Sequence, residues 1–237
     1  MENTINTPQF GRVKGAEWFP YLYKKDILVL GQGGIGSWVS VLLSRIGCTL
    51  HLYDHDIYEE HNLSGQCVMQ TSISKNKAVA MEEFISNFSP AAEIYTNGKY
   101  ESTSPTNEIV ICGFDNMTAR KTAFINWKNF VLTYEFPENC LFIDGRLNSE
   151  YMQIFTISGT NKELIEKYEK EYLFADSEVE EQDCTFKQTS HCAAMIGAYI
   201  TSILTNWAFN QINKAPIRKV PFMFDCFTPL MLINHVV

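Results

Sequence analysis

Six consecutive residues, Gly31-Gln32-Gly33-Gly34-Ile35-Gly36, satisfy the spacing G-x-G-x-x-G. Glycines at those positions permit a tight turn and let a ligand approach the main chain. A helix starting there would offer unpaired N–H groups and a positive dipole end to a phosphate. The run implies nucleotide binding if a strand precedes it and a helix follows; otherwise it is an ordinary glycine-rich crossover. Asp54 lies eighteen residues past Gly36, at a spacing that lets a carboxylate accept from ribose hydroxyls, which suits a dinucleotide or ATP equally. The residues that follow separate the two: Asp56, Asn62, Gln66 and Lys77, then Asp115 with Asn116. A hydride-transfer enzyme has little use for this set, because its redox chemistry resides in the cofactor. Attack on the α-phosphate of ATP uses it: a carboxylate to hold Mg²⁺, cations and amides to stabilise charge, and a lysine near the phosphates.

The elements that must position these residues are legible as alternating patterns. Ile27–Leu30 is a continuously apolar run, the mark of a strand buried on both faces, and it stops at the glycine turn. Ile35, Val39, Leu42, Leu43 and Ile46 then recur at helical spacing, and Thr49–Tyr53 alternates as a second strand ending at Asp54. The pattern predicts a helix between Asn76 and Asn87, strands near Ile94–Thr96 and Ile109–Cys112, a helix over Thr118–Phe130 and a strand at Leu141–Ile143. Such alternation predicts a Rossmann-like, doubly wound α/β sheet, mainly parallel. Past residue 143 it changes to an antiparallel strand at Tyr151–Ile157 and a charged helix at Lys162–Tyr172, an antiparallel C-terminal extension. With no repeat and no Gly/Ser/Pro linker, one domain over 1–237 is expected: an arm (1–26), a nucleotide-binding core (27–145) and a carrier-binding and dimerisation elaboration (146–237).

At this point the chain resembles the ThiF/MoeB/HesA group, which includes the adenylation domain of ubiquitin-activating enzymes. The resemblance is carried by Gly31–Ser37, Asp54-x-Asp56, Asn62-Leu63, Gln66, the segment Ile73-Ser74-Lys75-Asn76-Lys77 and Asp115-Asn116, in the family's order over about the first 120 residues. It implies adenylation of the C-terminal carboxylate of a small ubiquitin-like or sulfur-carrier protein or peptide, with ATP and Mg²⁺, in a homodimer or pseudo-dimer. Position by position, Gly31, Gly33, Gly34 and Gly36 would form the phosphate cradle, and Asp54, with Asp56 beside it, would bind ribose. Asn62, Gln66 and Lys77 would contact the triphosphate, and Asp115 would ligate Mg²⁺. Each has a plainer alternative: Asp56 and Asn62 as turn caps, Lys77 as a solvated helix residue, Asp115-Asn116 as a helix N-cap.

The departures are informative. The family run N-L-x-R-Q is here Asn62-Leu63-Ser64-Gly65-Gln66, so a phosphate-facing arginine is missing. Arg12, where relatives supply an arginine across a dimer interface, and Arg146, after the fifth strand, are the candidate replacements; either could be a surface residue. Cys184-Thr185-Phe186-Lys187-Gln188-Thr189 looks like the stretch around a transthiolating cysteine. Lys187 and His191 would favour a thiolate there, and Glu180, Glu181 and Asp183 would disfavour it. A cysteine without chemistry is the alternative. The seven cysteines form no C-x-x-C pair, so no zinc is expected.

Composition limits the rest. A net charge of −8 with no basic cluster argues against a nucleic-acid partner. The 22 residues from Lys162 to Asp183 carry nine acidic side chains and three basic ones, so the acidity is concentrated there as a solvated surface or as a landing surface for a basic carrier. The uncharged stretch Cys192–Phe209 reads as a buried helix and not a membrane span, with Ile196, Ile200, Ile203, Leu204 and Trp207 forming a core or interface stripe. Without a signal-like N-terminus, a reducing cytoplasm is expected. Two rival readings remain open: a nicotinamide- or flavin-dependent oxidoreductase, and a non-catalytic nucleotide-binding subunit of a heterodimeric activating enzyme.

Overall fold

The computed structural model describes residues 8–174 and 188–236. After a short turn of helix, α1 (Phe19–Leu22), come β1 (Asp26–Leu30), α2 (Gly34–Ser44), β2 (Thr49–Tyr53), α3 (Lys77–Phe88), β3 (Glu93–Asn97), β4 (Ile109–Cys112) and α4 (Met117–Thr133). Then follow β5 (Leu141–Asn148), β6 (Tyr151–Ser158), α5 (Lys162–Glu171), α6 (Ser190–Asn213), β7 (Met223–Phe227) and β8 (Leu232–Val236). The strands form one sheet in the order β3-β2-β1-β4-β5-β6-β7-β8. β1 to β5 are parallel, and β6, β7 and β8 extend the sheet antiparallel, so the expected Rossmann-like architecture is present.

The apolar runs become inner strands because helices cover both faces. Ile27, Val29, Leu50, Leu52, Ile109, Ile111 and Ile143 point into one core, with Val39 and Leu43 of α2 and Ile196, Ile200 and Leu204 of α6. Their strand neighbours Leu28, Leu30, Val110, Cys112 and Phe142 point into the other, with Phe124 and Trp127 of α4 and Ile165 and Tyr168 of α5. This period of two is the pleat of a sheet buried on both sides. The stripe on α6 is core: Ile196, Ile200 and Leu204 have no exposure, and the helix packs closely on α2 where Gly197 meets Trp38. Among the described residues α6 is the one helix long and apolar enough to cross a membrane, and more than half of its apolar window is buried inside the protein.

Two features depart from the sequence reading. β5 does not stop at Ile143 but runs on to Asn148, because Asp144 to Asn148 pair antiparallel with β6. β7 and β8 have no clear signature in the sequence: β7 is short and only partly buried, and every residue of β8 is exposed. The N-terminal arm is built into the core, with Phe10, Phe19 and Leu22 fully buried and the Phe10 ring packed against Gly47 just beyond α2.

Candidate nucleotide site

β1 lies between β2 and β4, so the chain leaves its carboxyl end where the strand order reverses, the position at which open α/β sheets bind ligands. Gly31 N–H donates to Tyr53 O at 2.8 Å and Gly113 N–H to Leu30 O at 2.8 Å, which pins the turn to both neighbouring strand ends. Gly31 has φ +85°, and a Cβ on it would stand 3.1 Å from Gly113 O. A Cβ on Gly36 would overlap the Gly31 carbonyl oxygen. Those two glycines are required by the turn itself. Gly33 differs: nothing lies nearer to its Cβ position than Gln66 Nε2, at 4.0 Å, so the turn leaves room above it. Gly33 is the N-cap of α2 and supplies no side-chain acceptor, so the first-turn N–H groups stay available to an anion.

Gln32, the variable residue of the motif, is fully buried and locks the turn from beneath. Its Nε2 donates to Val29 O at 3.1 Å, its Oε1 accepts from Ser40 Oγ at 2.9 Å, and its carbonyl accepts from the Tyr58 hydroxyl at 2.8 Å. Sequence reasoning missed Gln32, Ser40 and Tyr58, since no spacing rule marks a polar residue whose partners are eight and twenty-six positions away.

Asp54 caps the end of β2 and is almost fully buried. Its Oδ2 accepts from Gln32 N–H at 2.6 Å and its Oδ1 from Asp56 N–H at 2.9 Å, so it ties the second strand to the glycine turn. Burial pushes its carboxyl above the ordinary range, and the two main-chain N–H bonds and Lys77 pull it back. Asp56 also receives the Lys77 ammonium, at 3.2 Å from its Oδ2. Lys77 opens α3, and Asn76 caps that helix by accepting from Val79 N–H while donating to the Asp54 and Asp56 carbonyls. Asp54, Asp56 and Lys77 are therefore brought together beside the turn.

The remaining candidates divide. Asn62 is buried and caps a turn, its Oδ1 accepting from Glu59 N–H at 2.9 Å, which is the plainer role foreseen for it. Gln66 follows it, with its Oε1 buried and lacking a hydrogen-bond partner among the described residues. Asn116 caps α4 by accepting from Ala119 N–H at 2.8 Å, and Asp115 beside it is exposed past the end of β4. The cap thus falls to Asn116, whose Nδ2 also donates to the exposed Asp115 carboxylate at 3.3 Å.

Arg146 does not stand open to the turn. Its Nε donates to Asp144 Oδ2 at 2.7 Å, and its second guanidinium nitrogen to Tyr172 O at 2.8 Å. Burial lowers its proton affinity, but the Asp144 carboxylate outweighs this and holds the guanidinium above its ordinary value. Arg120 also pairs with Asp144, and the Tyr168 hydroxyl donates to it at 2.8 Å. Arg12 is exposed and follows Phe10, so within one chain it belongs to the end of α2 away from the glycine turn. Cys184 lies outside the described residues. A cavity of about 460 Å³, lined by Leu141, Thr156, Trp207 and Phe222, opens at the opposite end of the parallel strands, where β5 begins.

Comparison with known proteins agrees with this fold. The ATP-dependent ubiquitin transferase-like protein Cap2 of Enterobacter hormaechei is 28% identical over 119 residues, covering 44% of this chain and 19% of Cap2. The tRNA threonylcarbamoyladenosine dehydratase 1 of Saccharomyces cerevisiae is 24% identical over 106 residues, covering 44% of this chain and 25% of that protein. The matches thus span about a fifth to a quarter of these curated relatives. In three dimensions, E. coli MccB superposes over 98% of this chain and 70% of its own with a TM-score of 0.72 at 16% identity, a likeness of fold. The ThiF family model matches residues 9–225, nearly the whole chain, and the protein belongs to the ThiF family.

Proposed function

We propose that this protein binds ATP with Mg²⁺ at the glycine turn and adenylates the C-terminal carboxylate of a small ubiquitin-like or sulfur-carrier protein or peptide. The observation that carries this reading is the meeting of the uncapped α2 N-terminus, the Asp54 carboxylate and the Asp56–Lys77 pair at the reversal of strand order. MccB has been solved with ATP and with N-formylated MccA, which supports a nucleotide and a peptide as the two substrates.

The residues present fit Mg·ATP. There is room for a phosphate above Gly33, the Gln66 Nε2 is the nearest group to that space and can donate into it, and Asp115 offers an exposed carboxylate for Mg²⁺. Main-chain N–H groups of the turn would hold phosphate oxygens, Asp54 would accept from the ribose, and Lys77 would offset charge gathering on the phosphates. Bound ATP supplies the α-phosphoryl group: a carboxylate oxygen forms a bond to phosphorus as the bond to pyrophosphate breaks. A carboxylate is already ionised at neutral pH, so no residue need act as general base. The chain's own contribution is orientation and fixed charge. In this account Arg12 serves the site of a second copy in a homodimer.

ATP–pyrophosphate exchange in the presence of carriers ending in Gly-Gly tests the reading. Carrier-dependent exchange that falls at least tenfold in Lys77→Ala is expected, from the loss of a charge-assisted contact. No exchange with any carrier, together with NAD binding, would overturn it. The glycine at position 65 favours one second reading, a nucleotide-binding subunit that needs an active partner; adenylate formation by the isolated chain would exclude that.

Asp54→Asn is a separate expected outcome. Asp54 Oδ1 and Oδ2 both accept from main-chain N–H groups, and an asparagine must turn its NH₂ toward one of them. ATP affinity should fall about tenfold or more by calorimetry. An unchanged affinity would remove Asp54 from the nucleotide site.

A further inference from the structure

We propose that Gln188 is a phosphate-contacting residue of the glycine turn, a neutral amide standing in the slot where a cation would otherwise reach the nucleotide. The proposal rests on the ATP reading above. Gln188 lies two residues before α6, and its main chain is bridged to Ser149 in the turn between β5 and β6. From that anchor its side chain reaches across to two glycines. A Cβ on Gly34, the first residue of α2, would overlap Gln188 Oε1 and stand 2.9 Å from its Cδ. A Cβ on Gly65 would stand 2.7 Å from Nε2 and 2.8 Å from Cγ. Any side chain at either position would displace the amide, so Gly34, Gly65 and Gln188 form one fitted arrangement.

The amide has two donors and an acceptor, and among the described residues none of them makes a hydrogen bond. Beside it, Gln66 Oε1 is buried and equally unpaired. Two half-buried side-chain amides with unspent hydrogen-bonding capacity, at the uncapped start of an eleven-residue helix, call for a polar ligand. Gln188 Oε1 stands nearest Gly34, and turning the amide over, which keeps its volume, would present Nε2 as donor to a phosphate oxygen held by the α2 N–H groups. Position 65 is also where the family resemblance expects an arginine. A guanidinium rooted at 65 and the amide of Gln188 would compete for one volume, so the glycine and the glutamine are two sides of one exchange.

Calorimetric titration of Mg·ATP and of adenosine into the full chain tests this. Gln188→Ala should raise the Kd for ATP about tenfold, the scale of one hydrogen bond to a charged group, and leave adenosine unchanged. The isosteric Gln188→Glu, which keeps the packing but repels phosphate, should weaken ATP further with an unchanged thermal midpoint. Gly65→Arg alone should weaken ATP by collision with Gln188, and Gly65→Arg combined with Gln188→Ala should bind ATP more tightly than either single variant. An unchanged or tighter ATP affinity in Gln188→Ala, or single losses that simply multiply in the double variant, would overturn the proposal. If the unsubstituted chain does not bind ATP at all, the adenylation reading fails and takes this one with it.

Discussion

Asp144→Ala is expected to lower the stability of the protein by about 3–5 kcal/mol, the cost of breaking a buried ion pair by removing one partner. Asp144 has no exposure and accepts from Arg120, Arg146 and the Tyr168 hydroxyl. Removing its carboxylate leaves two nearly buried guanidinium groups facing each other in the core around α4 and α5. Arg146 keeps its bond to Tyr172 O and its place 4.7 Å from the Phe155 ring, and Arg120 keeps Gly145 O at 2.9 Å, but none of these carries a negative charge. For a chain of 237 residues the loss corresponds to a fall in Tm of very roughly 6–20 °C. Asp144→Asn, which can still accept from the tyrosine, should lose less. Chemical denaturation at constant m-value measures both. A loss below about 1 kcal/mol for the alanine variant would show that the network is solvated and that Arg146 is available for other work.

The second large effect concerns the glycine turn, where two neighbouring substitutions should separate folding from binding. A methyl group on Gly36 would overlap the Gly31 carbonyl oxygen, which is main chain and cannot swing aside. Gly36→Ala should therefore force β1 and α2 apart, cost about 1–3 kcal/mol of stability as an overpacked site, and abolish detectable ATP binding. Gly33→Ala meets nothing nearer than Gln66 Nε2 at 4.0 Å, so its stability should change by less than about 1 kcal/mol. Its methyl group would nevertheless fill the space above the turn and exclude a phosphate. Thermal unfolding and ATP titration of the two proteins check the contrast. Normal ATP affinity in Gly33→Ala would mean that the phosphates lie elsewhere.

The part of the fold that was readable in the sequence is the part governed by local pattern. Ile27–Leu30, the glycine turn and the stripe from Ile35 to Ile46 gave the first crossover, and Asp54 and Lys77 fall beside it because they end β2 and begin α3. What could not be read depends on pairs far apart in the chain. Asp144 joins residues from α4, β5 and α5, and nothing in the spacing of Arg120, Arg146 and Tyr168 announces a common partner. Arg146 therefore reads in the sequence as a phosphate-facing cation or a surface residue, whereas Asp144 and the Tyr172 carbonyl at the end of α5 hold it. The inward turn of Gln32 and the reach of Gln188 to Gly34 and Gly65 are likewise products of tertiary packing. β7 and β8 escaped because a short, half-exposed hairpin at a sheet edge carries too weak an alternation to separate it from loop.

Titration of Mg·ATP and of NAD into the purified chain tests the central claim most directly, because Asp54 alone suits either ligand and the residues after it distinguish them. The account predicts saturable ATP binding that is lost in Gly33→Ala, with no comparable uptake of NAD. Saturable NAD binding with no ATP binding would contradict it.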